Sequence, residues 1–204
     1  VAAGAVPRFL DRKKSNFQIE KTALEACISE KTRAIVLNSP NNPTGCVLSD
    51  ESLAIVAQLA QEHDFYILCD NVYAALSSEP VPDLTLRPEL RDRCILCQSF
   101  SKPWAMTGWR LGWLAAPEAL IDKFTLLQAA QIASVPTFLQ KAAETALQVE
   151  VTDMAAVYRK RREYVLARLD QMGLSYPTPR GAFYVFPESS KFGRDSEAFC
   201  TRLI

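Results

Sequence analysis

The sequence holds a single histidine, His63. A multi-histidine metal site is therefore excluded, and any Ser-His-Asp or Cys-His nucleophile scheme would have to run through that one side chain. Net charge is just as scarce: Lys plus Arg and Asp plus Glu both number 23, for a formal charge of zero and an isoelectric point near 6.8. The electrostatic argument for a nucleic-acid or anionic-membrane partner is thereby removed, and a small molecule is the expected ligand. No apolar run reaches the roughly 18 residues needed to cross a bilayer, and the first residues lack a basic stretch followed by an apolar core. Cys94 and Cys97 form a CxxC with no second pair to complete a zinc site, and it lies in a strand-like run rather than at the helix N-terminus that redox pairs favour. Cys69, Cys94 and Cys97 sit within the apolar runs FYILCD and CILCQ, where a free thiol behaves as a small buried hydrophobe. A reduced, cytoplasmic protein is expected. The sequence starts at Val1 rather than Met, so Val1 is expected to be internal to a longer polypeptide.

What is present is ordinary globular composition: 49% hydrophobic and 23% charged residues in a chain of 204, enough for a sizeable core. From Thr32 to Ser101 one rhythm recurs, a short β-rich apolar run, a polar turn with Pro or Gly, then a stretch with helical character, which is the signature of βα units and a largely parallel sheet. The runs are Ala34–Leu37, Phe65–Cys69 and Cys94–Cys97, and each ends in unusual chemistry: SPNNPTG, DNVY and QSFSK. Between the first two, Ser49 as N-cap, Asp50 and Glu51 in the first turn, and Leu53, Val56, Ala57 and Ala60 at helical spacing predict a helix. A strand over Leu111–Ala116 and helices over Pro117–Ile132, from Pro136, and over Thr152–Met172 follow, the last ended by Gly173. Ala182–Phe186 reads as a further strand. Arg159 to Arg162 reads as a solvated helix face rather than a nucleic-acid patch. No internal repeat is seen.

In open α/β sheets, ligands sit beyond the carboxyl ends of parallel strands. Asn42, Asp70, Ser99 and Lys102 all meet that condition. A lysine attacks a carbonyl only when unprotonated, and a carboxylate placed to keep a pyridinium nitrogen protonated is the partner that an electron-sink cofactor requires. NNPTG, DNVY, SFSK and TGWRLG, in this order and spacing, closely resemble the aspartate aminotransferase family of fold type I pyridoxal-phosphate enzymes.

That resemblance implies an α/β, three-layer large domain with a mostly parallel sheet over residues 1–150. It also implies a linking helix and the beginning of a small α+β domain over 151–204, the whole being a fragment of a homodimeric enzyme. Lys102 matches the lysine that forms the internal aldimine with pyridoxal 5'-phosphate and moves the substrate α-proton. Asp70 matches the partner of the pyridine nitrogen, and Tyr73 with Asn42 the pair that hydrogen-bonds the phenolic oxygen. Ser99 and Arg110, and less strongly Ser101, match phosphate ligands, as suits a guanidinium fork and a dianion. The implied reaction moves an amino group between an amino acid and a 2-oxo acid. A lyase or synthase of the same fold, and the aminotransferase-like effector domain of a transcriptional regulator, are alternatives. A Ser99–Lys102 acyl enzyme is disfavoured, because Pro103 pushes Lys102 out of the αR region. His63 at a helix end is expected to be structural and Trp104 and Trp109 to pack around the lysine loop, while Arg180 in TPRGAF is a candidate substrate contact that nothing in the sequence requires.

Overall fold

The computed structural model describes residues 4–77, 79–193 and 195–204. Four strands form one sheet in the order β1 (Ala34–Asn38), β2 (Tyr66–Asp70), β3 (Cys94–Ser99) and β4 (Gly112–Ala115). The first three are parallel and β4 returns antiparallel to β3. The repeated βα rhythm thus produces the expected mostly parallel sheet, while the antiparallel return needs only the loop between Ser99 and Gly112.

Helix α1 (Lys21–Glu25) precedes the sheet and α2 (Asp50–Glu62) bridges β1 and β2. The start of α2 follows from local chemistry, since the Ser49 Oγ accepts from the Ser52 backbone N at 3.1 Å and Asp50 and Glu51 occupy the first turn, where carboxylates offset the positive helix end. Its apolar stripe, Leu53, Val56, Ala57, Leu59 and Ala60, is buried against Leu37, Ile67, Cys69 and Cys94. Each large side chain in that layer contributes about 1.5–3 kcal/mol relative to exposure. The opposite sheet face is barer: Val36 is 68% and Leu114 42% exposed.

After β4 come α3 (Glu118–Ile132), α4 (Thr137–Ala146), α5 (Thr152–Gln171) and α6 (Ser196–Leu203). Pro117 caps α3 rather than opening its first turn. A second, smaller core joins Phe100, Leu111 and Ala146, with Trp104, Met106 and Leu139 packed on it. It fastens the loop between β3 and β4 to α4. Helix α5 lies against the short turn Ala74–Leu76 that follows Tyr73.

Two expectations are corrected. Residues Ala182–Phe186 form no strand; the chain bends at Gly181 and runs on without a ladder. A β-branched and aromatic run becomes a strand only when a neighbour supplies its hydrogen bonds, and among the described residues none lies beside it. Trp109 does not pack, being 45% exposed, whereas Trp104 lies with its ring centroid 5.0 Å from that of Phe100 and donates through Nε1 to the Val149 carbonyl at 3.2 Å.

Cys94 faces the core and Cys97, three residues on along a strand, faces the other side, so the CxxC does not converge on one ligand. The neighbouring Cys94 thiol and, next to it, burial push the Cys69 thiol up. All six cysteines are free. His63 is exposed just beyond α2, where its backbone N caps the Leu59 carbonyl at 3.0 Å.

Candidate active site

The carboxyl ends of β1, β2 and β3 gather most of the residues singled out by sequence. Strand register places Asn38, Asp70 and Cys97 side by side at the end of the sheet. Asp70 is half-buried, and its Oδ1 accepts from the Val72 backbone N at 3.4 Å. Burial and the neighbouring Asp70 charge push the Cys97 thiol up, as a thiolate beside a carboxylate would be repelled.

The SPNNPTG loop after β1 is held by its own side chains. Asn38 Oδ1 accepts from the Asn42 backbone N at 2.7 Å, Asn41 Oδ1 accepts from the Thr44 hydroxyl at 2.8 Å, and Gly45 N donates to Asn41 O at 2.8 Å. Asn and Thr close turns of this kind because their short polar side chains reach nearby backbone groups. The loop so formed presents Asn42, whose Nδ2 donates to the Tyr73 Oη at 3.3 Å. Tyr73 is buried on the turn after β2. Lys102 is half-buried on the turn after β3, with its Nζ 5.9 Å from the Tyr73 ring centroid and 5.5 Å from that of Phe183. These are cation–π distances, and no carboxylate forms an ion pair with that ammonium among the described residues.

A second group lies further along the same turn. The Ser99 Oγ accepts from the Ser101 backbone N at 3.0 Å and approaches the Leu111 carbonyl at 3.4 Å, and Ser101 is buried. Arg110 stands in the left-handed region, at φ 51°, two residues before Gly112, the register partner of Ser99. Its exposed guanidinium donates to the Thr107 carbonyl at 2.9 Å and to neither serine. Asn42, Tyr73 and Lys102 thus form one cluster, Asp70 stands on the adjoining strand end, and Ser99, Ser101 and Arg110 lie on the connection from β3 to β4 without a hydrogen bond between the serines and the guanidinium.

Sequence reasoning missed Asn38, Phe183 and Tyr184. The Tyr184 hydroxyl lies 2.9 Å from the Tyr73 hydroxyl, and the Phe183 ring is edge-on to Tyr73 and stacked on Tyr158 of α5. Burial and the hydrogen bond with Tyr73 push the Tyr184 phenol up to about 12. The signal was there in GAFY, next to Arg180, but those residues read as a strand. Arg180 itself is exposed and joins the site only through its backbone. A surface depression lined by Arg91, Asp92, Pro117 and Glu118 lies at the other end of β3 and includes none of these site residues.

Residues 2–204 match the family model of aminotransferase class I and II, and the chain belongs to that family. It is 39% identical to an aromatic-amino-acid aminotransferase of Thermococcus litoralis over 100% of this chain and 54% of the relative. It is 35% identical to an aspartate aminotransferase of Musicola paradisiaca over 94% of this chain and 50% of that protein. The solved aspartate aminotransferase of Thermotoga maritima superposes with a TM-score of 0.88 at 35% identity, over 96% of this chain and 51% of that one. The architecture is that of the fold type I aminotransferases, and the chain spans about half the length of the relatives it matches. No helix of the described residues is long and apolar enough to cross a membrane.

Proposed function

We propose that the protein carrying this chain is a pyridoxal-phosphate-dependent aminotransferase acting on an amino acid and a 2-oxo acid. The observation that carries the reading is the convergence of Asn42, Tyr73 and Lys102 beside Asp70 at the ends of parallel strands. That donor set fits the cofactor: a carboxylate for a ring nitrogen, an amine with no carboxylate ion pair among the described residues, an amide and a phenol for an anionic oxygen, and two serines with an arginine for a phosphate. When bound, pyridoxal 5'-phosphate supplies the electron sink for amino-group transfer.

In this reading the chain's own residues hold, orient and move protons. Lys102 is the covalent anchor and carries the proton to and from the substrate α-carbon. Its ammonium must shed a proton before the amine can attack a carbonyl. Asp70 holds the ring nitrogen protonated. Asn42 and Tyr73 hold the phenolic oxygen. Ser99, Ser101 and Arg110 would hold the phosphate, the guanidinium having donors beyond the one it gives to the Thr107 carbonyl.

The named relatives are aminotransferases, which favours amino transfer over elimination or effector sensing. The reading includes a large domain over residues 1–150, a linking helix and the start of a small domain over 151–204, and a cytoplasmic homodimer with no nucleic-acid or membrane partner. The test is borohydride trapping of the intact protein with cofactor, followed by peptide mapping. Label on Lys102, absent together with transamination in Lys102→Ala, is the expected result. Undiminished transamination in Lys102→Ala would overturn it.

A further inference from the structure

The Tyr73 hydroxyl is approached from two sides. Asn42 Nδ2, which can only donate, stands 3.3 Å away, and the Tyr184 hydroxyl stands 2.9 Å away. A phenol has one proton and limited acceptor capacity, so the direction of the second bond decides what Tyr73 can offer to anything else. If Tyr73 donated to Tyr184, its proton would be spent inside the protein. If Tyr184 donates, Tyr73 accepts twice and keeps its proton for a ligand.

The backbone around the pair is built to hold Tyr184 there. The Gly45 carbonyl accepts from both the Arg180 and Gly181 backbone N atoms, at 2.9 and 3.0 Å. A Cβ on Gly45, at φ +70°, would lie 2.6 Å from Pro179 Cβ and 2.6 Å from the Tyr184 carbonyl oxygen. The loop that presents Asn42 and the segment that presents Tyr184 are therefore fastened to each other at one glycine. Ring packing completes the clamp, with Tyr184 edge-on to Tyr73 at 5.5 Å between centroids.

Resting on the function proposed above, we infer that Tyr184 is a positioning residue that donates its hydroxyl proton to Tyr73 Oη, so that Tyr73 turns its own proton outward to the cofactor's phenolic oxygen. Donation by Tyr184 is consistent with the upward push on its phenol, since a donor resists losing its proton. A hydroxyl that accepts such a bond is polarised and becomes a better donor itself. Tyr184 thus acts on the cofactor only through Tyr73.

The test uses Tyr184→Phe, Tyr73→Phe and the double variant in the intact protein, with retained far-UV circular dichroism as the check on folding. Without cofactor, the protein carrying ¹³Cζ-tyrosine is titrated. The Tyr184 phenol should titrate near 12 and fall towards the ordinary range in Tyr73→Phe; an unchanged titration would overturn the hydrogen bond. With cofactor, the pH midpoint of its visible band is read. Weakening the donor to the phenolic oxygen disfavours the ionised oxygen, so Tyr184→Phe should raise the midpoint by roughly 0.3 to 0.6 pH unit, a twofold to fourfold change. It should add nothing in the Tyr73→Phe background. A midpoint equal to that of the parent, or a shift that persists without the Tyr73 hydroxyl, would overturn the inference. Absence of the band in the parent would instead count against the proposed cofactor, while the cofactor-free titration would still decide the donor.

Discussion

Gly45→Ala is expected to release the Pro179–Tyr184 segment without unfolding the sheet. The added Cβ would meet the Pro179 Cβ and the Tyr184 carbonyl oxygen, both at 2.6 Å, and both neighbours are close to or part of the backbone. Neither can rotate aside as the tip of a flexible side chain could. The left-handed conformation adds about 1–2 kcal/mol for any residue with a Cβ. Relieving the overlap separates Gly45 O from Arg180 N and Gly181 N, and each such bond contributes about 0.5–1.5 kcal/mol net. The total is roughly 2–5 kcal/mol, almost all of it local. Since about 1.4 kcal/mol is a factor of ten, amide hydrogen exchange at Arg180 and Gly181 should accelerate by at least about thirtyfold. Amides in β1 to β3 should keep their protection. Unchanged exchange at Arg180 and Gly181 would refute the reasoning, because it would mean that the loop and the segment are held together by something other than Gly45.

Asp70→Asn should leave cofactor bound while slowing α-proton abstraction severely, because an amide does not keep the ring nitrogen protonated; near-normal single-turnover rates would assign Asp70 another role. The 204-residue chain alone should bind the cofactor at least two orders of magnitude more weakly than the intact protein and show no transamination. It spans about half of its relatives' length, and loss of two charge-assisted bonds to the cofactor from the other half, at roughly 1.5–3 kcal/mol each, gives that factor. Tight binding with turnover, measured by absorbance titration and product analysis, would contradict it. Tyr184 also sets an alkaline limit. A phenol whose folded value is raised from 10.0 to about 12 contributes stability that is complete below about pH 10 and is lost as pH rises towards 12. Over that interval the parent should lose denaturation midpoint that Tyr184→Phe does not, and parallel losses would argue against the Tyr184–Tyr73 bond.

The parts of the fold legible in the sequence are those fixed by local chemistry. Ser49, Asp50 and Glu51 mark the start of α2, and the stripe from Leu53 to Ala60 marks its buried face, because capping and 3.6-residue periodicity act within a single helix. The strand runs before NNPTG, DNVY and SFSK were readable because three parallel strands, each with one face on the core, leave three apolar runs. What was not legible depends on partners far apart in the chain. Ala182–Phe186 has the composition of a strand, yet pairing is a property of two segments, and the Gly45 carbonyl takes the amides of Arg180 and Gly181 instead. Tyr184 was hidden for the same reason, since its hydroxyl meets a tyrosine 111 positions earlier. Trp109 looked like a packing residue by type alone, and its exposure follows from the turn at Thr107–Trp109.

The antiparallel return of β4 has a consequence for how far Lys102 can travel. Ser99 and Gly112 face each other across the ladder, and Phe100 N donates to Leu111 O at 3.1 Å. The lysine therefore hangs on a closed leash whose two ends are one hydrogen bond apart, and Phe100 and Leu111 sink those ends into a small core of their own. Along the leash, Met106 N donates back to Phe100 O at 3.3 Å, so the half that bears Lys102 is cinched into a smaller ring. An amine tethered in this way sweeps a small volume and meets a carbonyl at a high effective concentration. Residues inserted on the Thr107–Trp109 side would lengthen only the slack, whereas residues inserted between Phe100 and Met106 would widen the ring and dilute the nucleophile.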